Sequence, residues 1–386
     1  MRVLFSATPA FGHVLPLFPL ARAFKARGDK VGFATGPGMA ALLEQEGFAL
    51  LPAGPMPEAL FAEMARRTGT EPAVDPSTEG MADFFAGVRL DLGADEAIAA
   101  ARDLDPDLIV HEAWDAIGPL VASALGIPLA TVALGPVASQ EFFGAMAVLA
   151  APRYAQRGLV APASVLPGRW LLDTCPPSLQ FPGVRWPGEH IALRPEPHQA
   201  TAPGTAAGNG RPAPASVAGP RPRVLVTFGT YYTDPTVIGP LLKSLAQLDV
   251  DLAVTLGLDG KAEDYDLDSP HVEVVRFVPI AQLLDGVSAV VTHGGAGTTL
   301  GVLARGIPMV VIPQGADHSI QAERVAASGA GLALTPDLHS PAAAAQALSR
   351  VLTEPGFTEA ARRISDEIAA MPSPEAVTEQ LAAVVR

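Results

Sequence analysis

The stretch VVTHGGAGTTLGVLARGIPMVVIPQGADHSIQA, residues 290–322, reads as a strand, a turn, a helix and a second strand. The apolar run Ala289 to Thr292 predicts a buried strand. Glycines around His293 then let the backbone turn into a helix from about Gly297 to Arg305, followed by a strand at Met309 to Ile312. Because strands joined through a helix pair in parallel, this unit predicts an α/β domain whose ligand site lies at the carboxyl edge of the sheet.

The turn HGGAGTT, residues 293–299, predicts a diphosphate site. The first N–H groups of a helix lack partners within the helix and carry a partial positive charge, so they bind anions without a metal ion. Thr298 opens this helix, and His293 adds a donor beside it. The loop FGTY, residues 228–231, follows the first strand of the same domain at the same sheet edge. Glycines are equally typical of a turn that binds no ligand, so a purely structural role of HGGAGTT stays open.

The same alternation of strands and helices runs through most of the chain and predicts an α/β protein with two Rossmann-like domains. Residues 201–222 are mostly Ala, Gly and Pro and predict a linker between a first domain, 1–200, and a second domain, 223–357. Residues 358–386 predict two helices, which we expect to pack back on the first domain. The segment from Pro52 to about Thr78 is expected to be irregular. Other strands are predicted at Arg2–Ser6, Val31–Thr35, Phe48–Leu51, Asp107–His111, Leu129–Leu134, Arg223–Thr227, Asp251–Leu256 and Val272–Arg276.

Composition excludes several classes of partner. The 26 basic and 40 acidic side chains give a formal net charge of −14, which repels nucleic-acid phosphates and anionic membranes. The single cysteine, Cys175, excludes an internal disulfide and cysteine-rich metal sites and is typical of a reducing cytoplasm. The uncharged stretch from Ala116 to Gln140 is interrupted by Pro119, Pro128 and Pro136, which argues against a membrane span. With no secretory signal at its start, the chain is expected to be cytoplasmic.

Several motifs together resemble one family, the family-1 glycosyltransferases of the two-domain B fold (GT-B) that decorate antibiotics such as macrolides and enediynes. The motifs are Gly12-His13 with Pro16 and Leu20-Ala21, Pro176-Pro177-Ser178-Leu179-Gln180, Phe277-Val278-Pro279, HGGAGTT, Gly306-Ile307-Pro308 and the run Gln314 to Asp317. The resemblance covers nearly the whole chain. It implies two Rossmann-like domains whose parallel sheets face each other across a cleft, and an inverting, metal-independent transfer of a sugar from a nucleotide to an acceptor hydroxyl.

By this resemblance, His13 is the general base that takes the proton of the acceptor hydroxyl. The family's histidine is held by an aspartate after a Pro-Asp-x-x-x-His segment, but Glu112 stands at that position here. We therefore expect Glu112 to orient the imidazole and rank Asp115 second. His13 could instead be a helix-capping or core histidine, and either acid could cap the following helix.

The resemblance also implies a donor site, comprising Thr230, Phe277, Val278, His293, Gly295, Gly297, Thr298, Asp317 and His318. The backbone of Phe277 and Val278 would hold the base, Asp317 and His318 would meet the sugar hydroxyls, and the others would bind the diphosphate. Relatives that use uridine nucleotides often carry a glutamate for the ribose hydroxyls where this chain has Gly301. A deoxythymidine nucleotide has no 2′-hydroxyl to leave unpaired, so a dTDP-sugar is the expected donor.

Aromatic and methionine side chains cluster in stretches of the first domain that we expect to be irregular, and they predict a site for a broad apolar aglycone. The candidate acceptor-binding residues are Phe84, Trp114, Phe142, Phe143 and Met146. Ordinary core packing is the alternative for each. Paired aspartates such as Asp103 and Asp105 lie in helix ends or loops, so neither a metal nor a cofactor is expected beside the nucleotide sugar.

The sequence thus predicts an inverting glycosyltransferase of antibiotic biosynthesis, with small molecules as partners. Three alternatives were weighed. A sugar-nucleotide 2-epimerase would keep the fold, and a catalytically silent nucleotide-binding activator would keep the donor site. A hydride-transferring oxidoreductase is disfavoured because residues 6–12 lack the Gly-x-Gly-x-x-Gly turn. Whether the protein forms a homodimer or requires a helper protein is left open.

Overall fold

The computed structural model describes residues 1–69, 77–137, 139–164, 168–185, 188–199, 221–230, 232, 234–257, 260–265, 269–275, 278–315, 317–334 and 340–385. Most of the predicted linker and Phe277 lie outside the described residues. The chain divides into two compact units. The first unit comprises Met1–Cys175, Pro182–Arg194 and Met371–Arg386, and the second comprises Pro176–Phe181 and Pro195–Ala370.

Among its described residues, the first unit has seven strands: β1 (Arg2–Ser6), β2 (Lys30–Thr35), β3 (Ala49–Pro52), β4 (Leu108–Glu112), β5 (Leu129–Ala133), β6 (Trp170–Asp173) and β7 (Glu189–Ala192). They form one sheet in the order β3-β2-β1-β4-β5-β6-β7, and every neighbouring pair is parallel. The central strands β4 and β5 are buried at every residue, because helices cover both faces of a parallel sheet.

In the described part of residues 1–175, eight helices accompany this sheet: α1 (Phe11–Val14), α2 (Phe18–Ala26), α3 (Ala40–Glu46), α4 (Pro57–Thr68), α5 (Thr78–Ala82), α6 (Arg89–Leu104), α7 (Ile117–Leu125) and α8 (Gln140–Ala155). A π-helical stretch, Asp83–Val88, joins α5 to α6. The helix predicted from His13 to Arg27 is divided by a 3₁₀ turn at Leu15–Leu17, since Pro16 cannot donate a helical hydrogen bond.

Two stretches expected to be irregular contain helices in the residues that the structure describes, so those predictions are wrong there. The segment from Pro52 to Thr78 contains α4, in which Pro57 occupies the first turn, where a missing N–H costs nothing. Leu60 and Met64 bury one face of this helix at a spacing of four residues. Of the predicted acceptor-binding aromatic residues, Phe84 lies in the π stretch and Phe142 and Phe143 lie in α8, whereas Trp114 lies in the turn after β4.

Where the structure describes the second unit, it has six strands: β8 (Arg223–Thr227), β9 (Asp251–Thr255), β10 (Val272–Val274), β11 (Val287–Thr292), β12 (Met309–Val311) and β13 (Gly331–Ala333). They form a parallel sheet in the order β10-β9-β8-β11-β12-β13. The helices that follow α8 are α9 (Pro235–Leu245), α10 (Ile280–Leu283), α11 (Ala296–Leu303), α12 (His318–Ser328), α13 (Pro341–Thr353), α14 (Pro355–Ala370) and α15 (Pro374–Val384). The two parallel α/β sheets agree with the predicted fold class.

The last two helices belong to different units. Helix α14 packs on α11 and α13 in the second unit, where the Ser365 hydroxyl donates to the Ala304 carbonyl at 2.9 Å. Helix α15 packs on α2 in the first unit. This differs from the expectation that residues 358–386 pack together on the first domain. None of the described helices is both long and apolar enough to cross a membrane.

Candidate functional site

His13 and Glu112 meet at the carboxyl edge of the first sheet. Glu112 is the last residue of β4, and His13 lies in α1, which follows β1. The Nδ1 atom of His13 lies 3.0 Å from Oε1 of Glu112; the carboxylate is fully buried, whereas the imidazole is 22% exposed. One side of the histidine is therefore fixed by a carboxylate, and its ring remains accessible to a ligand.

The Glu112 carboxylate is held by backbone donors as well. Its Oε2 accepts from the Trp114 amide at 2.7 Å, and its Oε1 accepts from the Thr8 amide at 3.3 Å. Desolvation raises the pKa of Glu112, but His13 and these two amides outweigh it and hold the pKa below its usual value. Glu112 is therefore ionised at neutral pH and favours the tautomer of His13 that carries its proton on Nδ1.

Asp115, the second-ranked orienting group, is held by Ser6, Gly118 and Arg89. Its Oδ2 accepts from the Ser6 hydroxyl at 2.5 Å and from the Gly118 amide at 3.0 Å. Its Oδ1 lies 3.4 Å from Nε of the buried Arg89. The extra methylene of Glu112 thus does not prevent it from reaching the histidine, and Asp115 binds a different set of groups.

An aromatic cluster begins at His13 and continues into the unit. Its members are Phe61, Phe84, Phe85, Trp114, Phe142 and Phe143. The His13 and Phe85 ring centroids are 5.5 Å apart, and Phe85 packs edge-on against Trp114 at 5.3 Å. Four of the five predicted acceptor-binding residues therefore lie in one cluster that contacts the histidine.

The members of the aromatic cluster differ in exposure. Phe61 is 40% exposed, whereas Phe84 and Phe142 are buried. Trp114 and Phe143 line a small pocket together with residues 133–137. Met146, predicted to contact the acceptor, is fully buried in α8 and is part of the core in this structure. Residues that face the core and residues that face a ligand follow the same helical spacing, so the sequence alone does not distinguish Met146 from its neighbours.

The second group of predicted residues surrounds the start of α11. His293 follows β11, and its ring is buried beside two glycines. A Cβ atom at Gly229 would lie 2.9 Å from Nε2 of His293, and one at Gly295 would lie 2.6 Å from it. Gly229 also has a φ of +74°, which favours glycine. These two glycines therefore make room for the imidazole between the ends of β8 and β11.

Two buried histidines pack against each other there. The His293 and His318 rings are perpendicular, with centroids 4.6 Å apart, and Tyr232 packs edge-on against His318 at 5.2 Å. Desolvation lowers the pKa of His293 to about 4. Desolvation, and then the charge of His293, lower the pKa of His318 to about 3. Both rings are therefore neutral at pH 7 and each carries one donor and one acceptor nitrogen.

The remaining predicted donor residues lie around this pair. Asp317 precedes α12 and accepts from the Gln321 side-chain amide at 3.1 Å. Gly297 is exposed in the first turn of α11, Thr298 and Thr230 are partly exposed, and Val278 is buried. Helix α11 has no side-chain cap, so its first N–H groups are available to an anion.

Gly301 lies in a crowded part of α11. A Cβ atom there would lie 3.1 Å from the Cβ atom of Pro197 and 3.7 Å from Ile280. A long side chain at this position would therefore require Pro197 to move.

Tyr232 and Arg89 are two further residues of these sites that the sequence analysis did not single out. Tyr232 stands just past the FGTY loop, so the loop pattern was a signal that could have found it. Arg89 stands among apolar residues in GVRL, but only the structure shows that its side chain is fully buried.

Comparison with known proteins gives a consistent result. The sequence model of a family described as erythromycin biosynthesis protein CIII-like, C-terminal domain, matches residues 240–384. The elloramycin glycosyltransferase of Streptomyces olivaceus is 36% identical over 403 residues, which cover 99% of this chain and 97% of that protein. The L-demethylnoviosyl transferase of Streptomyces niveus is 32% identical over 406 residues, covering 100% of this chain and 99% of that protein.

Solved structures agree with these relatives. A spinosyn rhamnosyltransferase complexed with thymidine diphosphate is 26% identical, with a TM-score of 0.80 and coverage of 99% of this chain and 100% of that chain. The same rhamnosyltransferase has also been solved with a spinosyn aglycone.

Proposed function

Because the chain belongs to the glycosyltransferase family that includes the elloramycin and L-demethylnoviosyl transferases, we propose that it transfers a deoxysugar from dTDP to a hydroxyl of a natural-product aglycone, with inversion at the anomeric carbon. The match to solved glycosyltransferases confirms the predicted B fold. Membership of the family also confirms that the protein is a glycosyltransferase. The identity of the donor, the acceptor and the stereochemistry belong to the proposal.

The contact between His13 and Glu112 carries the proposal. With Nδ1 directed at the carboxylate at 3.0 Å, Nε2 is the ring nitrogen that accepts the proton of the acceptor hydroxyl. The acceptor oxygen forms a bond to the anomeric carbon as the bond from that carbon to the diphosphate breaks. Glu112 stabilises the imidazolium without taking its proton, and the proton then passes to water.

The start of α11 supports binding of the leaving diphosphate. The uncapped N–H groups near Gly297 and Thr298 offer donors and a partial positive charge. A neutral His293 adds a donor that is already dehydrated before the ligand arrives. We propose that these groups replace the divalent ion that other transferases use, so that transfer proceeds without a metal.

Two observations support dTDP as the nucleotide. The spinosyn rhamnosyltransferase and a second relative of similar fold were each solved with thymidine diphosphate or dTDP. In this chain Gly301 offers no carboxylate to a ribose 2′-hydroxyl, and the neighbouring Pro197 offers no donor or acceptor side chain. A hydroxyl buried without a partner weakens binding, so UDP is expected to bind less tightly than dTDP.

The aromatic cluster supports an apolar acceptor. Phe85 connects His13 to Trp114 and Phe142, so an aglycone held by these rings would lie beside the imidazole. Rings at packing distances of 4.6 to 6.4 Å around Trp114 provide flat surfaces on which a ring system can stack.

A product assay tests the proposal. The protein is incubated with dTDP-deoxysugars and a panel of polycyclic aromatic and macrolide aglycones in the presence of EDTA, and products are identified by mass spectrometry. We expect an aglycone whose mass increases by one sugar residue, together with one equivalent of dTDP. Conversion of the nucleotide sugar to an isomer without an aglycone would indicate an epimerase. Binding of dTDP with no product from any pair would favour a silent activator.

Titration calorimetry tests the donor separately. With EDTA present, we expect dTDP to bind at least about tenfold more tightly than UDP, the ratio that corresponds to one unsatisfied hydroxyl. Equal affinities would contradict the inference from Gly301. Binding that requires added Mg²⁺ would contradict the metal-free diphosphate site.

A further inference from the structure

Arg89 is a fully buried charged side chain that the mechanism above does not use. It is the first residue of α6, directly after the π-helical stretch Asp83–Val88. Its Nη2 donates to the Ala7 carbonyl at 3.1 Å, and its Nη1 donates to the Ala53 carbonyl. Its Nε lies 3.4 Å from Oδ1 of Asp115. A single guanidinium therefore joins the chain segments that follow β1, β3 and β4.

One of these contacts leads directly to Glu112. The carbonyl of Ala7, which accepts from Arg89, and the N–H of Thr8, which donates to Glu112, belong to the same planar peptide group. Arg89 and Glu112 thus bind opposite ends of one peptide. A cation on the carbonyl polarises this peptide and strengthens the hydrogen bond that its N–H donates to the carboxylate.

A second contact holds the turn that carries Glu112. Asp115, which faces Arg89, accepts from the Ser6 hydroxyl at 2.5 Å and from the Gly118 amide at 3.0 Å. The Asp115 amide donates to the Glu112 carbonyl at 3.0 Å and closes the turn. The backbone on both sides of Glu112 is therefore tied to groups that contact Arg89.

We propose that Arg89 is a positioning residue for sugar transfer, which keeps Glu112 ionised and aligned on His13 through the Ala7–Thr8 peptide and the Glu112–Asp115 turn. This inference rests on the proposed function, because it assigns Arg89 a role in activating His13. Burial of a guanidinium is costly, and the contacts of Arg89 with two carbonyls and a carboxylate compensate for that cost.

The charged groups around Arg89 determine what its removal should do. Asp115 and Glu112 face it from the end of β4, and Glu96 lies on its own helix. His111, buried in β4, binds the Asp115 carbonyl through Nδ1 at 3.0 Å. Loss of Arg89 acts on His13 in two opposed ways: a missing positive charge raises the pKa of His13, whereas a less well aligned Glu112 lowers it. The tautomer of the neutral ring isolates the role of Arg89, because alignment with an ionised Glu112 favours the proton on Nδ1.

The test compares Arg89→Met and Arg89→Lys with a matched control, Arg22→Met. Arg22 also forms a two-point ion pair in the first unit, with Glu46 at 2.6 and 2.7 Å, and this pair involves neither Glu112 nor Asp115. Folding is checked by circular dichroism. The ring nitrogen signals of His13 are recorded by NMR at a pH where the ring is neutral and are identified by their loss in His13→Ala, so this readout of the tautomer needs no substrate.

In Arg89→Met we expect the neutral His13 ring to shift from the Nδ1–H tautomer towards the Nε2–H tautomer, and in Arg89→Lys we expect a smaller shift. For an acceptor that the wild type glycosylates, kcat should fall about 10- to 100-fold in Arg89→Met with the KM for the donor unchanged. Arg89→Lys should recover part of kcat. Arg22→Met should match the wild type in both readouts.

An unchanged His13 tautomer and an unchanged kcat in a folded Arg89 variant would overturn the inference. If neither Arg89 variant folds, Asp115→Asn decides instead, because it removes the charge that faces Arg89. Its His13 ring should also shift towards the Nε2–H tautomer, and an unchanged tautomer would overturn the inference. A wild type that transfers no sugar would refute the proposed function alone, since the NMR readout of the tautomer still reports on Arg89.

Discussion

Acidification should destabilise the second unit through two histidines. In the folded protein, His293 and His318 stay neutral until the pH falls to their pKa values of about 4 and about 3, because their rings are desolvated. In the unfolded chain a histidine takes up a proton near pH 6.5. The unfolded state therefore binds more protons at every pH between about 6.5 and the folded pKa, so stability is complete above about pH 6.5 and is lost as the pH falls below it.

The size of this loss follows from the pKa shifts. At pH 5, protonation of each histidine in the unfolded chain favours the unfolded state by about 2 kcal/mol. The two histidines together should therefore lower the free energy of unfolding of the second unit by about 4 kcal/mol relative to pH 8. The sign follows from burial, which disfavours the charged form of each ring. Substituting either histidine by glutamine should remove about half of the loss, because glutamine does not titrate.

Hydrogen exchange localises the effect. The protection of amides in β8 and β11 is measured at pH 8 and pH 5 in the wild type, His293→Gln and His318→Gln. His271→Gln provides a control, since His271 lies in the same unit but its side chain is 39% exposed. We expect the loss of protection at pH 5 to be halved in His293→Gln and His318→Gln and to equal the wild-type loss in His271→Gln. An equal loss in the wild type and in both glutamine variants would show that these histidines are not buried in the neutral form.

Three further predictions concern individual residues. Glu112→Gln should lower kcat roughly 10²- to 10⁴-fold with the Kd for dTDP unchanged, because a neutral amide neither favours the Nδ1–H tautomer of His13 nor stabilises its imidazolium. An unchanged kcat would exclude a role of Glu112 in activating His13. Gly229→Ala should destabilise the second unit by about 1–3 kcal/mol and weaken dTDP binding, because the φ of Gly229 is +74° and a Cβ atom there would lie 2.9 Å from His293. Wild-type affinity in calorimetry would contradict the claim that Gly229 makes room for the His293 ring. Met146→Ala should lower the free energy of unfolding by about 2–5 kcal/mol in urea titrations and leave the KM for the acceptor unchanged, because Met146 is fully buried. A higher KM for the acceptor with unchanged stability would place Met146 in the acceptor site.

The strands were the most predictable part of the fold. β1 and β8 have the predicted bounds, and β4 and β5 differ by a residue, because apolar runs that follow prolines or turns leave few alternatives. Helices with internal or leading prolines were harder. Pro57 and Pro152 both indicate irregular structure locally, yet one starts α4 and the other lies in the last turn of α8. In α8 burial of an apolar face outweighs the proline, whereas Pro57 stands in the first turn of α4, where it costs no hydrogen bond.

The contacts around His13 were predictable only in part. A motif placed Glu112 near it, and the structure shows the contact at 3.0 Å. The contacts of Arg89 join residues 82 and 36 positions away, Ala7 and Ala53, and no local pattern encodes such tertiary packing. The mutual burial of His293 and His318 likewise depends on two segments that come together only in the folded sheet.

The most direct test of base-catalysed, inverting transfer is a single-turnover measurement with wild type and His13→Ala, using a donor and aglycone pair that the product assay identifies. Rapid quenching gives the rate of the chemical step, and the proton coupling at the anomeric carbon gives its configuration. We expect the product to have the configuration opposite to that of the donor, and we expect His13→Ala to slow the step by at least about 10²-fold while dTDP still binds. A product with the donor's configuration, or an unchanged rate in His13→Ala, would contradict the account.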